Sequence, residues 1–283
     1  MSQPGNIRKI GTVSIFYFRN YYRSKSFYLM LFLVILVVSL LTYLSVKYFS
    51  YSSSFPNFLR FSSGGLNTGL LRNEFSFVWE FAGTYLPVFA SVFFGSPAIS
   101  TEIESKTAFQ TFTYPIPRYV LFSGKFLASF FVTAIIISIF YLGQFFNFAF
   151  LYHIIPSSAF GLSYLLMILF AVAMLGLTFL LSVIFNKNLY AYISVFILYF
   201  LVFGTASLVI SFLYSTTPFY LLSVSAAIVY EVYINFNPFN FTVLPSISPA
   251  SVTQITLYAS VMIVYAFVSF MIAIFLFESK EVR

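Results

Sequence analysis

The sequence predicts an all-α integral membrane protein with six transmembrane helices, an amphipathic interfacial helix ahead of them, and an outer re-entrant hairpin before the last span. Three observations carry this expectation. The 283 residues are 60% hydrophobic and only 7% charged, a composition no water-soluble domain shares. A bilayer core of about 30 Å requires roughly 20 apolar residues per helix, and six stretches reach that length, near 27–48, 76–99, 119–150, 161–185, 191–214 and 255–277. Finally, Lys and Arg gather on one side of the topology those stretches imply.

Residues 1–26 read as a cytoplasmic leader. At about 100° per residue, Ile7, Ile10, Val13, Ile15, Tyr17, Phe18, Tyr21 and Tyr22 share one helical face. Arg8, Lys9, Arg19 and Arg23 share the opposite one, and only Phe16 is misplaced. Such a helix lies in the interface, rings toward acyl chains and cations toward lipid phosphates. The first apolar run is as long as a full span and lacks a small-residue cleavage site, so it is expected to remain as an anchor. Residues 27–283 then form one six-span domain with both termini on the same side. That side holds Arg8, Lys9, Arg19, Arg23, Lys25, Lys106, Arg118, Lys125, Lys187, Lys280 and Arg283, against Lys47, Arg60 and Arg72 on the other. The positive-inside rule therefore predicts a multi-pass protein of the cell membrane with both termini cytoplasmic.

Between the first two spans, 49–75 reads as an outer loop with turns at Pro56-Asn57 and Ser63-Gly64-Gly65. Glu80, the sole acid inside an apolar stretch, is expected as an interfacial, ion-paired group beside Arg72 and Glu74 in preference to a proton relay, because a charge at the bilayer centre costs on the order of 3 kcal/mol. From 100 to 118 a cytoplasmic elbow joins spans two and three. Thr101 and Glu104 have capping-box spacing, and Glu102 with Lys106 has the favoured i, i+4 spacing of an ion pair. Pro115 and Pro117 end that helix and start the next span. On the third span Gln144 and Asn147 share a face, either lining a pathway or bonding to another helix. His153 falls in a short outer turn where exposure outweighs metal binding. The stretch 215–254 contains an apolar run, Phe219 to Tyr230, too short to cross, followed by Pro238, Pro245 and Pro249, hence the re-entrant hairpin. Asn240-Phe241-Thr242 is a glycosylation sequon of low specificity. No internal repeat relates the two halves.

Composition also removes whole chemistries. The chain has no Cys, no Asp and one His, so disulfides, Cys-bound metals, HExxH sites and Ser-His-Asp triads are excluded. No phosphate-cradling loop is present: Gly124-Lys125 is followed by Phe126, and Tyr119 stands where the first loop Gly belongs. The cations follow span boundaries and form no basic-aromatic groove, so nucleic acid is not an expected partner. A protein of this kind that moves cargo uphill draws its energy from another chain. A secondary transporter would need embedded carboxylates and repeat symmetry, and a membrane enzyme would need a constellation of reactive groups; neither is visible. A stand-alone secondary transporter, disfavoured on those grounds, and a non-transporting scaffold subunit are the remaining alternatives.

The elbow carries a resemblance. Glu102, Thr107, Pro115, Arg118, Gly124 and Lys125 fall in the register of the membrane subunits of type-2 ABC transporters, mostly exporters, and the six-span architecture agrees along the whole chain. Asn237-Pro238 sits where such permeases often carry Asn-Pro. Lys106 departs from the family by replacing Gly, and Pro117 by replacing Ser. The resemblance implies a non-enzymatic permease that pairs with a second permease chain, identical or paralogous, above cytoplasmic ATPase subunits that hold the ATP and Mg²⁺. It implies coupling to those subunits through Glu102, Glu104, Lys106 and Thr107, with Pro115, Arg118 and Lys125 anchoring the elbow at the lipid headgroups.

Overall fold

The computed structural model describes residues 6–49, 68–106, 116–152, 156–214, 216–235 and 249–280. Its described residues form helices joined by turns and irregular stretches, with no strand among them, and six helices are long and apolar enough to cross a membrane: Lys25–Lys47, Asn73–Glu104, Arg118–Phe150, Ser158–Ile184, Asn188–Tyr214 and Val252–Ser279. Helix α1 (Asn6–Tyr22) precedes the first span, which is α2 (Lys25–Leu44) with a π-helical end, Ser45–Phe49. Three helices make the second span: α3 (Thr68–Gly83), α4 (Leu86–Gly95) and α5 (Pro97–Glu104). The third and fourth spans are α6 (Arg118–Asn147), extended by a π-helical turn, and α7 (Ser158–Ile184). The fifth is α8 (Asn188–Phe196) and α9 (Gly204–Tyr214) around a π-helical stretch, Ile197–Phe203. Short α10 (Leu222–Ser225) and α11 (Ile228–Glu231) precede the sixth span, α12 (Val252–Ser279).

Prolines explain the broken second span. Pro87 and Pro97 each sit in the first turn of a new helix, where a missing N–H costs nothing, so the chain restarts instead of bending. Within lipid the backbone groups freed by such a break need partners. Ser182 of the fourth span supplies them, donating its hydroxyl to the Ser96 carbonyl at 2.6 Å and accepting from the Ile99 and Ser100 amides at 3.3 and 3.1 Å.

The core lies between the second, third and fourth spans, with Trp79, Phe94, Phe140, Phe170 and Met167 fully enclosed. The fifth span is the most peripheral, most of its surface facing outward. At the end remote from the termini, α10 and α11 are buried rather than exposed, Tyr230 and Tyr233 packing with Phe77. The amide of Ala250 returns to the carbonyl of Glu231 at 2.9 Å, closing the loop back onto the last span.

Three expectations are corrected. The rings of α1 do not all turn to lipid: Ile10, Val13, Tyr17, Phe18 and Tyr21 pack on the protein, and Ile7, Ile15, Phe16 and Tyr22 remain exposed. The reason is Gly124, whose absent Cβ would stand 2.5 Å from Cγ1 of Val13, so only glycine lets α1 seat on the third span. The Thr101–Glu104 capping box does not form, because the helix already begins at Pro97. Glu80 has no ion-pair partner among the described residues and is wholly buried within the protein, about 10 Å of helix rise from Asn73. Thr107, Pro115, the turns at 56–65, His153, Asn237-Pro238 and the sequon at Asn240 lie outside the described residues.

Candidate functional site

The chemistry gathers where α1, the end of the second span and the start of the third span meet. Lys125 is fully buried, its ammonium 2.5 Å from Oε2 of Glu102 and 2.8 Å from the Ala98 carbonyl. The Tyr17 hydroxyl donates to the other carboxylate oxygen of Glu102 at 2.8 Å, and the Tyr17 ring lies 4.9 Å from the Lys125 ammonium. Burial and the adjacent Glu102 carboxylate together push the Tyr17 phenol well above its ordinary value, so it stays a donor at any physiological pH. A third contact reinforces the junction: the Ser129 hydroxyl reaches the Phe94 carbonyl at 3.0 Å and the Tyr21 hydroxyl at 3.1 Å. One acid, one base and two phenols thereby tie three elements together across more than 80 residues of sequence.

This placement corrects two readings of the elbow. Lys125 anchors no headgroup; its charge is enclosed, and Glu102 neutralises it. Glu102 does not pair with Lys106, because the helix ends at Glu104 and the i, i+4 geometry is gone. Lys106 instead takes a left-handed backbone, φ 59°, with its amide on the Ile103 carbonyl at 3.2 Å. That is the helix-ending position at which glycine is favoured.

The remaining predicted residues divide by partner. Glu104 accepts the Asn188 amide at 2.9 Å, satisfying an orphan N–H at the start of the fifth span. The Arg118 guanidinium holds the carbonyls of Glu278 and Lys280 at 2.9 and 3.1 Å, at the end of the sixth span. Lys280 in turn donates to the Val183 carbonyl near the end of the fourth span. Basic groups thus complement the negative ends of several helices. Arg8, Arg19 and Arg23 are exposed and Lys9 half-buried. Asn147 donates to Thr42 of the first span at 3.0 Å and to the Gly143 carbonyl at 2.8 Å, an interhelical bond, whereas Gln144 is buried beside Glu80. The pair sharing one helical face is thus split between two neighbours.

Residues overlooked in the sequence include Tyr17, Ser182 and the lining of a cavity of about 260 Å³ between the second span, the fifth span and α10–α11. Phe81, Tyr85, Phe200 and Tyr230 wall it, with Thr84 and Ser223 among its hydroxyls. Such a lining accommodates an apolar or amphiphilic group. No site for three or more metal ligands exists among the described residues.

Residues 14–282 match the sequence family described as ABC-2 family transporter protein. No curated protein matches the chain.

Proposed function

We infer, from the premise that the chain belongs to the ABC-2 family of transporter membrane proteins, that it is the membrane-spanning permease of an ATP-driven exporter. Chains of this family are non-catalytic transmembrane subunits. In our reading a separate cytoplasmic ATPase chain binds ATP and Mg²⁺, two permease chains build the pathway, and both termini face the cytoplasm. The α10–α11 segment re-enters the bilayer from the far side, and the aromatic cavity favours a lipidic, peptidic or otherwise amphiphilic cargo.

The observation that carries the coupling mechanism is the buried Glu102–Lys125 pair. The ATPase would grip the chain at 102–113, beginning on Glu104, Lys106 and Thr107. A push there reaches Glu102 and passes at once to the third span through Lys125 and to α1 through Tyr17. Lys125 is wholly enclosed and Glu102 only partly exposed, so the pair is screened less than an ion pair on the surface and Lys125 has no water to turn to. Arg118 carries the same displacement to the end of the sixth span.

The test is reconstitution with the partner ATPase. The chain alone is expected to hydrolyse no ATP; the complex hydrolyses it, and deletion of 107–113 abolishes binding of the ATPase while the six spans remain folded. Hydrolysis by the purified chain alone, or full retention of the ATPase after the deletion, would overturn the proposal.

A further inference from the structure

The second polar cluster in the molecule lies at the opposite end, inside the helices. Glu80 on the second span is completely enclosed, and neither of its carboxyl oxygens has a hydrogen-bond partner. Tyr141 and Gln144 of the third span face it without a bond of ordinary geometry. Tyr233, just beyond α11, adds its phenol from the far side, and that hydroxyl is likewise unpartnered. Ser163 of the fourth span closes the ring, 3.0 Å from the Tyr141 hydroxyl and 2.7 Å from the Val229 carbonyl that it bonds. Polar groups of the third span and of the segment after α11 therefore gather at Glu80, with Ser163 of the fourth span bonded behind Tyr141. Among the described residues the titratable groups that face Glu80 are the two phenols, and no cation is paired with it.

Charge and hydrogen-bond inventory lead to the same occupant. An unpaired carboxylate in this position costs several kcal/mol, whereas a carboxylic acid is neutral. Gln144 presents both an amide donor and a carbonyl acceptor, all unsatisfied. A carboxylate only accepts, so it would leave the Gln144 carbonyl orphaned. A protonated Glu80 gives its O–H to that carbonyl and takes the amide N–H on its own C=O, completing both groups after a small rotation. The mixture of donors and acceptors does not suit a metal cation, which requires oxygen lone pairs alone. We propose that Glu80, Gln144, Tyr141 and Tyr233 form a proton-binding site in the transmembrane core, occupied while α10 and α11 are packed against the second and fourth spans. Separation of those elements admits water, and the proton then leaves Glu80 to a water molecule, making a hydrated carboxylate.

Infrared spectroscopy of the full chain in lipid at neutral pH reads this directly. The carbonyl band of a protonated carboxylic acid is expected in the wild type and in Glu231→Gln, which removes the other deeply buried acid. In the Glu231→Gln background the same band is expected to be lost when Glu80→Gln is added, whose amide pairs with Gln144 as the acid does. A Glu231→Gln spectrum without the band, its survival in the Glu80→Gln/Glu231→Gln double variant, or a shift of the carboxylate bands when alkali cations are exchanged for a bulky organic cation would overturn the proposal. If Glu80→Gln fails to fold, the decision falls to the Glu231→Gln spectrum, where absence of the band is again contrary. The measurement involves no ATPase, so its outcome is independent of the coupling reading.

Discussion

Lys125 shows what one buried charge does to its surroundings. With Glu102 removed, its ammonium would keep only a carbonyl and a ring, so the partner that leaves determines the damage. Lys125→Met or Glu102→Leu alone is expected to destabilise the chain by on the order of 3 kcal/mol, and the double variant to recover part of that loss, since no charge is left unpaired while the Tyr17 hydroxyl and the Ala98 carbonyl each still lose a partner. Thermal unfolding in detergent of the four proteins measures the coupling. Lys106 gives a prediction of opposite sign. A left-handed backbone burdens a side-chain-bearing residue by about 1 kcal/mol, so Lys106→Gly raises the unfolding midpoint unless the lysine is retained for a contact with a partner. Ser182→Ala strips the Ile99 and Ser100 amides of their acceptor inside the helical body, at an expected cost of about 1–3 kcal/mol in the same assay.

Among elements, α1 is the one whose role the sequence disclosed only halfway. Its periodicity announces an apolar face, but periodicity is blind to whether lipid or protein covers that face; Gly124, on another helix, makes the difference. Gly124→Val would press into Val13 and lift α1 from the third span. Because the chain contains no cysteine, Ser14→Cys gives a clean reporter: buried in the parent, it is expected to resist maleimide and to label readily once Gly124→Val is added. Unchanged protection would mean that α1 is held elsewhere. The second span was likewise legible as a crossing but not as three helices, although Pro87 and Pro97 signal both restarts. Ser251 and Gln254 form a capping box at the start of the sixth span, and their S-x-x-Q spacing could have located that boundary.

At the scale of the molecule, span number and span length were readable because a bilayer imposes them directly on composition, and the six crossings lie within a few residues of where hydropathy puts them. Side-chain partnerships were not readable in the same way. The elbow motif brought Glu102 and Lys125 to notice, yet only folding reveals that they neutralise one another, and Tyr17 completes the cluster from 85 residues away in sequence. The enclosure of Glu80 was hidden for a related reason: a rule against buried charge is silent when the group can be neutral. The resulting picture is a helical body with a stiff polar junction at its terminal end and an aromatic cavity and enclosed acid nearer the other. The claim at the centre of this account is that an ATPase acts on the first of these through residues 102–113. Placing a single cysteine at Thr107 in this cysteine-free chain, attaching a short photo-cross-linker and illuminating native membranes tests it most directly. The account predicts an adduct with a cytoplasmic ATP-binding chain, formed from the inner face and altered by ATP; labelling of that cysteine by an impermeant reagent added outside intact cells would contradict it.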